Sequence, residues 1–309
     1  MIKKKGSSII AVTSRSFSKN TFLRNELESR YENVFFNDQG QSLEGDDLIS
    51  FLKSANKVIV GLEIFDKYIF SNLPNLEVIS KYGVGLNNID INELKQRNIR
   101  LGLTPGVNKR PVAELTLLLM LISLRKIHNS LINIKHGIWS QDRGNELSNK
   151  IVGIIGYGNI GKLLKSFLRP FDCKILVYDI DEIDDKDIEQ NSLEDIFSKA
   201  DLISIHLPLL ETTKNIVDKK ILEISKKNLK IVNTSRGGIV NEKDLLDFLQ
   251  QNKDAFAALD VFEVEPAFSS PLLELDNFFA TSHLGSMTEE GVVSMGLAAI
   301  EGLEKNSLV

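Results

Sequence analysis

The chain of 309 residues has a single cysteine, Cys173. That excludes an intramolecular disulfide and any cysteine-built metal cluster, and no metal site is expected. Cys173 opens a strand-like stretch, where it reads as a small buried side chain. Positive charge is not in excess: the formal net charge is −5, so there is no electrostatic case for a nucleic-acid partner. A long apolar run is also missing. The most apolar stretch, Leu115–Leu124 (LTLLLMLISL), falls well short of the ~20 residues a membrane span needs. The basic cluster Lys3–Lys5 is not followed by a long apolar segment, so no signal peptide is read and the lysines serve solubility. No repeat of fixed period and no low-complexity tract is present. What remains is the composition of a globular protein with room for two domains. A cytoplasmic enzyme or binding protein is expected, with a small-molecule ligand and no membrane partner.

The rest of the chain is organised around Ile151 to Asp179, IVGIIGYGNIGKLLKSFLRPFDCKILVYD. Ile151–Ile155 is a short apolar run suited to a strand buried on both faces. It enters Gly156-Tyr157-Gly158-Asn159-Ile160-Gly161, after which Ile160, Leu163, Leu164, Phe167 and Leu168 recur at helical spacing. Lys174–Tyr178 is a second strand and ends in Asp179. Gly156 permits the tight turn, Gly158 lets a pyrophosphate approach the backbone, and Gly161 lets helix and strand pack closely. The N–H groups and dipole of the helix start bind phosphate, and Asp179 can accept both hydroxyls of an adenosine ribose. A glycine pattern alone matches ordinary turns by chance. Strand, glycines, helix, strand and terminal acid in order point to a dinucleotide, and NAD is the expected cofactor.

Residues 7–103 alternate strand-like segments (Ile9–Val12, Val34–Phe36, Val58–Val60, Val78–Ser80, Ile99–Leu103) with helical ones (Phe22–Ser29, Asp47–Lys53, Phe65–Ser71, Asn92–Arg97). That spacing predicts a parallel α/β sheet. The glycine-rich loop Lys81–Asp90 follows one of these strands, where ligands bind in such sheets, although a plain turn fits it equally well. Thr104-Pro105-Gly106 is a candidate hinge. Val112 to Ile134 reads as one long helix, apolar almost all round near Leu117–Leu121, so it must be covered by both domains or by a second subunit. The acidic stretch Asp181–Glu189 reads as a solvated loop.

Beyond Asp179, strands Leu202–His206, Lys230–Asn233, Ala255–Val261 and Phe278–Thr281 alternate with helices Leu193–Phe197, Ile221–Ile224 and Lys243–Gln250, the last capped by Asn241, and Thr288 to Leu303 is a final helix. Arg236, Glu265 and His283 each follow one of these strands, at the ends that would face the cofactor crevice. Hydride exchange with a carbonyl needs a proton carrier and a cation for the substrate carboxylate. His283 suits the proton, Glu265 can fix its tautomer, and the planar fork of Arg236 suits a carboxylate. Taken alone, a histidine is more often structural and an Arg-Gly more often a surface loop; their shared position after successive strand ends carries the argument.

At this point the chain resembles the NAD-dependent D-isomer-specific 2-hydroxyacid dehydrogenases, which include phosphoglycerate, D-lactate and hydroxypyruvate-reducing enzymes. The resemblance runs through Tyr82–Asp90 (YGVGLNNID), Pro105–Glu114 (PGVNKRPVAE), Gly153–Gly161 (GIIGYGNIG), His206–Pro208 with Thr213, Asn233–Gly237 (NTSRG), Asp260–Pro266 (DVFEVEP) and His283–Gly285 (HLG). It implies a Rossmann NAD-binding domain, about 104–284, inserted into a flavodoxin-like substrate domain of 1–103 plus 285–309, both doubly wound parallel sheets. It implies catalysis by Arg236, Glu265 and His283. Tyr82, Val84 and Gly85 would join Arg236 and His283 on the substrate. Asn159, Ile160, His206, Pro208, Thr213, Thr234 and Asp260 would join the glycines, Asp179, Arg236 and His283 on the cofactor, with Asp260 on the nicotinamide amide. A homodimer built on the long helix is implied as well. Val60–Glu63 stands where phosphoglycerate enzymes usually carry an arginine, which argues for an uncharged or hydroxylated substrate tail. An NADH-sensing binding protein on the same fold, phosphoglycerate dehydrogenase proper and a formate dehydrogenase are the alternatives, the last disfavoured by Glu265.

Overall fold

A computed structural model describes residues 6–309; the Lys3–Lys5 cluster lies outside them. The chain divides into two compact units, Met1–Asn108 with Ser286–Val309, and Lys109–Gly285.

The first unit alternates β1 (Gly6–Val12), α1 (Arg15–Lys19), α2 (Thr21–Arg30), β2 (Tyr31–Phe36), α3 (Gly45–Leu52), β3 (Lys57–Val60), α4 (Lys67–Ser71), β4 (Val78–Lys81), α5 (Ile91–Gln96) and β5 (Arg100–Gly102). The central strands are covered on both faces, every residue of β4 being buried, whereas the edge strand β2 exposes Glu32, Asn33 and Phe35. Helix starts follow side-chain acceptors: Asn20, Asp66 and Asp90 each take backbone N–H groups of the next turn. Asp66 is why the expected helix from Phe65 begins two residues later. The strands form a parallel sheet in the order β2-β1-β3-β4-β5. The Gly61–Glu63 and Tyr82–Gly85 loops leave neighbouring strands, β3 and β4, at the same edge.

The second unit opens with α6 (Lys109–Arg125) and α7 (Ile127–Lys135). The single helix expected over Val112–Ile134 is therefore two, bent by 69°. Lys126 breaks it, adopting a left-handed φ of 53°. Packing explains the division. α6 buries Leu119, Met120 and Leu124 within this unit's own core, while α7 buries none of its residues. Ile127, Leu131, Ile134, Ile138 and Trp139 are exposed instead. Among the described residues no single helix is long and apolar enough to cross a membrane.

There follow β6 (Ile151–Ile155), α8 (Asn159–Leu168), β7 (Lys174–Tyr178), β8 (Glu189–Gln190), α9 (Leu193–Lys199), β9 (Leu202–Ile205), α10 (Lys219–Glu223), β10 (Lys230–Asn233), α11 (Glu242–Gln251), β11 (Phe256–Leu259) and β12 (Phe278–Ala280). The sheet runs β12-β11-β10-β9-β6-β7-β8, all parallel. The order reverses at β6, so a crevice opens at the carboxyl ends of β6 and β9. The acidic stretch is not wholly a solvated loop, since its end joins β7 as the edge strand β8. Finally α12 (Glu289–Gly302), capped by Thr288, returns to the first unit and packs against α2, β4 and β5. The expectation of two parallel-sheet α/β domains holds.

Candidate active site

The glycine turn forms as its residue types require. Gly156 takes φ 97°, and a Cβ there would meet the His206 carbonyl oxygen at 2.8 Å. At Gly161 a Cβ would meet the Gly156 carbonyl at 2.3 Å, which is the close approach of helix to strand. Gly158 differs: nothing lies within 4 Å of its missing Cβ, and as N-cap of α8 it offers no side chain to the first helical N–H groups. Open space beside uncapped N–H donors is a fitting cradle for a pyrophosphate. Asp179, just past β7, receives the Tyr157 N–H on Oδ2 (2.6 Å) and the Asp181 N–H on Oδ1 (3.2 Å). Each carboxylate oxygen keeps a second lone pair for a ribose hydroxyl.

The neighbouring strand ends complete this edge. His206 extends β9, its N–H donating to the Ile155 carbonyl (2.7 Å). Its Nε2 lies 2.6 Å from Ser204 Oγ, and its Nδ1 is enclosed. Burial pushes the imidazole down to about 3, so the ring is neutral and is no proton donor near pH 7. Thr213 closes the turn after Pro208, donating to the Pro208 carbonyl (2.6 Å) and accepting the Leu210 N–H (2.8 Å). Thr234, past β10, is buried against Thr116 of α6 (2.7 Å between hydroxyls).

Asn233 shapes the loop that carries Arg236. Its Oδ1 accepts the N–H and O–H of Ser235 and its Nδ2 donates to the Arg236 carbonyl. Arg236 donates through a guanidinium nitrogen to the Ser235 carbonyl (2.6 Å). Burial lowers its pKa, the charge of Glu265 opposes that, and arginine stays protonated. A Cβ on Gly237 would fall 1.9 Å from the Phe262 carbonyl, so this loop lies directly on the one that carries Glu265.

His283, past β12, has a left-handed φ of 57°. Its Nδ1 is 2.8 Å from Glu265 Oε2, while Glu265 Oε1 accepts the Phe262 N–H (3.0 Å). Burial raises the Glu265 carboxyl, but the bonds from His283 and Phe262 and the nearby positive charges outweigh it, so the group stays below its ordinary value. A carboxylate accepting at Nδ1 sets the ring's proton on that nitrogen and turns Nε2 to the other side. Asp260 holds the same loop from beneath. It is almost fully buried, and its carboxylate accepts Thr281 Oγ1 (2.5 Å), Leu284 N–H (2.7 Å) and Gly285 N–H (2.8 Å). These three bonds make Asp260 an anchor of the His283 loop, a role the expectation of a nicotinamide ligand did not include.

Thus Gly156–Gly161, Asp179, His206, Thr234, Arg236, Asp260, Glu265 and His283 gather at one edge of one sheet. Tyr82, Val84 and Gly85 belong to the first unit, past β4, where the Tyr82 hydroxyl accepts Ser16 Oγ–H (3.1 Å). In that unit the buried ammonium of Lys81 donates to the Gly61 carbonyl and to Asn88 Oδ1. Glu63 turns inward to accept Thr13 Oγ1 (2.6 Å) and the Gly61 N–H (3.0 Å). Leu62 is left exposed. Sequence reasoning missed Asn233 and Thr116. An asparagine ending a strand before Thr-Ser-Arg is a turn signal that could have found the first; nothing on the helix marked the second.

A family model described as D-isomer specific 2-hydroxyacid dehydrogenase, NAD binding domain, matches residues 117–285. The chain is 35% identical over 272 residues to hydroxypyruvate reductase of Thermotoga maritima, covering 86% of this chain and 89% of that one. It is 33% identical over 279 residues to D-3-phosphoglycerate dehydrogenase of Methanocaldococcus jannaschii, covering 85% of this chain but 52% of that longer one. The solved structure of NAD+-bound 3-phosphoglycerate dehydrogenase from Entamoeba histolytica is similar, with a TM-score of 0.82, 28% identity and coverage of 96% and 94%.

Proposed function

The chain belongs to the D-isomer-specific 2-hydroxyacid dehydrogenases, oxidoreductases that use NAD, and from that premise we propose that it interconverts a small D-2-hydroxy acid and its 2-oxo acid through His283, Glu265 and Arg236. The observation that carries this reading is the 2.8 Å bond from His283 Nδ1 to Glu265 beside a protonated Arg236, at the strand ends next to the glycine turn. The nicotinamide, when bound, supplies or accepts the hydride. Arg236 pairs with the substrate carboxylate and draws electron density from the adjacent carbonyl. His283, its Nδ1 committed to Glu265, delivers a proton from Nε2 to the carbonyl oxygen during reduction and takes it back during oxidation. Glu265 stabilises the charged imidazole. The backbone N–H groups of Val84 and Gly85 are the proposed second hold on the carboxylate.

For the substrate tail, the Gly61–Glu63 loop supports an uncharged or hydroxylated group over a phosphate. A phosphate needs cations to offset its charge. Here Lys81 is buried against the Gly61 carbonyl and Asn88, Glu63 is anionic, and Leu62 is the exposed side chain. The proposed assembly is a cytoplasmic homodimer, built on the uncovered apolar face of α7 rather than on α6. The test is NADH-dependent turnover of hydroxypyruvate, glyoxylate and 3-phosphohydroxypyruvate. Hydroxypyruvate or glyoxylate should give the higher kcat/KM, and His283→Ala should cut kcat by about 10²–10⁴. Preference for the phosphorylated acid overturns the reading of the tail; near-full turnover by His283→Ala overturns the assignment of the proton carrier.

A further inference from the structure

The acidic turn between β7 and β8 is fastened to the glycine turn by a cluster that the chemistry above does not use. Tyr157, inside the glycine motif, touches the turn at two places. Its N–H donates to Asp179 Oδ2 and its hydroxyl donates to Asp185 Oδ2 (2.7 Å). Lys165, on α8, bonds both oxygens of Asp185 (2.9 Å each) and lies 3.9 Å from Asp187. Gln190 closes the other end: its Nε2 donates to the carbonyls of Asp179 and Asp181, and its Oε1 accepts the Ile183 N–H. The turn carries Asp181, Glu182, Asp184, Asp185, Asp187 and Glu189. Six carboxylates in nine positions repel one another, and a loop of that composition would otherwise move.

We propose that Tyr157, Lys165 and Asp185 form a clamp that sets selectivity for NAD(H) over NADP(H), by holding Asp179 and the carboxylates after it rigidly where a 2′-phosphate would have to sit. The proposal rests on the cofactor reading of the Gly156–Gly161 turn. Hydroxyls of an unphosphorylated ribose suit the oriented Asp179 carboxylate. A phosphate must push that carboxylate and its acidic neighbours aside, at a cost that grows as the turn becomes less able to yield. The Lys165 and Tyr157 bonds also hold Asp185 in its charged form down to about 2, so the clamp stays closed across the working range of pH. These three are positioning residues that act through Asp179; none is assigned a contact with the cofactor.

The test is direct binding, independent of turnover. Dissociation constants for NADH and NADPH are measured by calorimetry on the wild-type chain and on Tyr157→Phe, Lys165→Met and Lys165→Arg. In the wild type, NADPH should bind about a hundredfold or more weakly than NADH, equivalent to ~2.8 kcal/mol. Tyr157→Phe and Lys165→Met should lower that ratio about fivefold or more, by weakening NADH and strengthening NADPH, while Lys165→Arg restores it. A ratio that falls less than this in both variants, with circular dichroism showing them folded, overturns the proposal. So does equal weakening of both cofactors, which is the mark of a merely structural role. Absence of any 2-oxo acid reductase activity would count against the proposed reaction and leave these constants equally decisive.

Discussion

Replacing one hydrogen by a methyl group at Gly237 tests whether the site depends on two loops lying in contact. The new Cβ would sit 1.9 Å from the carbonyl carbon and oxygen of Phe262 and 2.4 Å from the Glu263 nitrogen. All three are backbone atoms, so no side chain can rotate away. Relaxing 1.9 Å to the 3.4 Å of ordinary contact separates the loops by about 1.5 Å. Arg236 is on one loop and Glu265 on the other. A misplacement of about 1 Å in a reacting constellation costs about a hundredfold, so Gly237→Ala should lower kcat/KM by about that factor or more. Overpacking should also cost about 1–3 kcal/mol of stability. The matched control is Gly158→Ala. Its methyl meets nothing within 4 Å and its φ of −80° is open to alanine, so the melting temperature should hold or rise slightly. NADH affinity should fall about tenfold or more if the methyl occupies the approach proposed for the pyrophosphate. The assays are thermal melting, NADH titration and initial rates with the best 2-oxo acid. A Gly237→Ala enzyme with wild-type kcat/KM, or a Gly158→Ala protein that binds NADH normally, would refute the reasoning.

Arg236→Ala should raise KM for the 2-oxo acid and lower kcat together, because in the proposed mechanism the guanidinium acts on substrate and developing charge alike; steady-state kinetics showing a change in KM alone would assign it to binding only. The Glu265 carboxyl sits below its ordinary value of 4.5. Its contribution to stability is therefore fully present above pH 4.5 and is lost as pH falls through the lower folded value. The melting-temperature gap between wild type and Glu265→Gln should be constant near neutrality and shrink below that point; a gap that widens on acidification contradicts the sign. Leu131→Glu with Ile134→Glu, two exposed apolar positions of α7, should convert a homodimer to a monomer in light scattering. A wild type already monomeric at micromolar concentration rejects the dimer.

The strand ends were the most legible part of the sequence. Ile151–Ile155, Lys174–Tyr178 and Lys230–Asn233 are strands with the boundaries expected of them, since each has a continuous apolar centre bounded by polar or glycine positions. The glycine turn was legible because Gly156 and Gly161 each answer a separate steric demand. The break at Lys126 was not. No glycine or proline marks it, and the apolar periodicity runs on through Ile127 and Leu131, because the covering that stops after α6 is a tertiary matter. The edge strand Glu189–Gln190 was hidden by its acidity and its length of two residues. The tethering of Asp260 escaped because a buried acid and a ligand-binding acid look alike until their partners are known.

The return of α12 to the first unit has a consequence for synthesis. Lys109–Gly285 is one unbroken segment and leaves the ribosome with every contact of its own core available. The first unit does not: Ala299, Ile300 and Leu303 complete the core around Ile10, Val12 and Leu23, and the Ser80 hydroxyl bonds the Ala299 carbonyl. Residues 6–108 thus wait for Ser286–Val309, leaving an apolar seam uncovered while the intervening segment closes. A chain arrested near Gly285 should therefore present that seam to chaperones, a consequence of where α12 lies in the sequence.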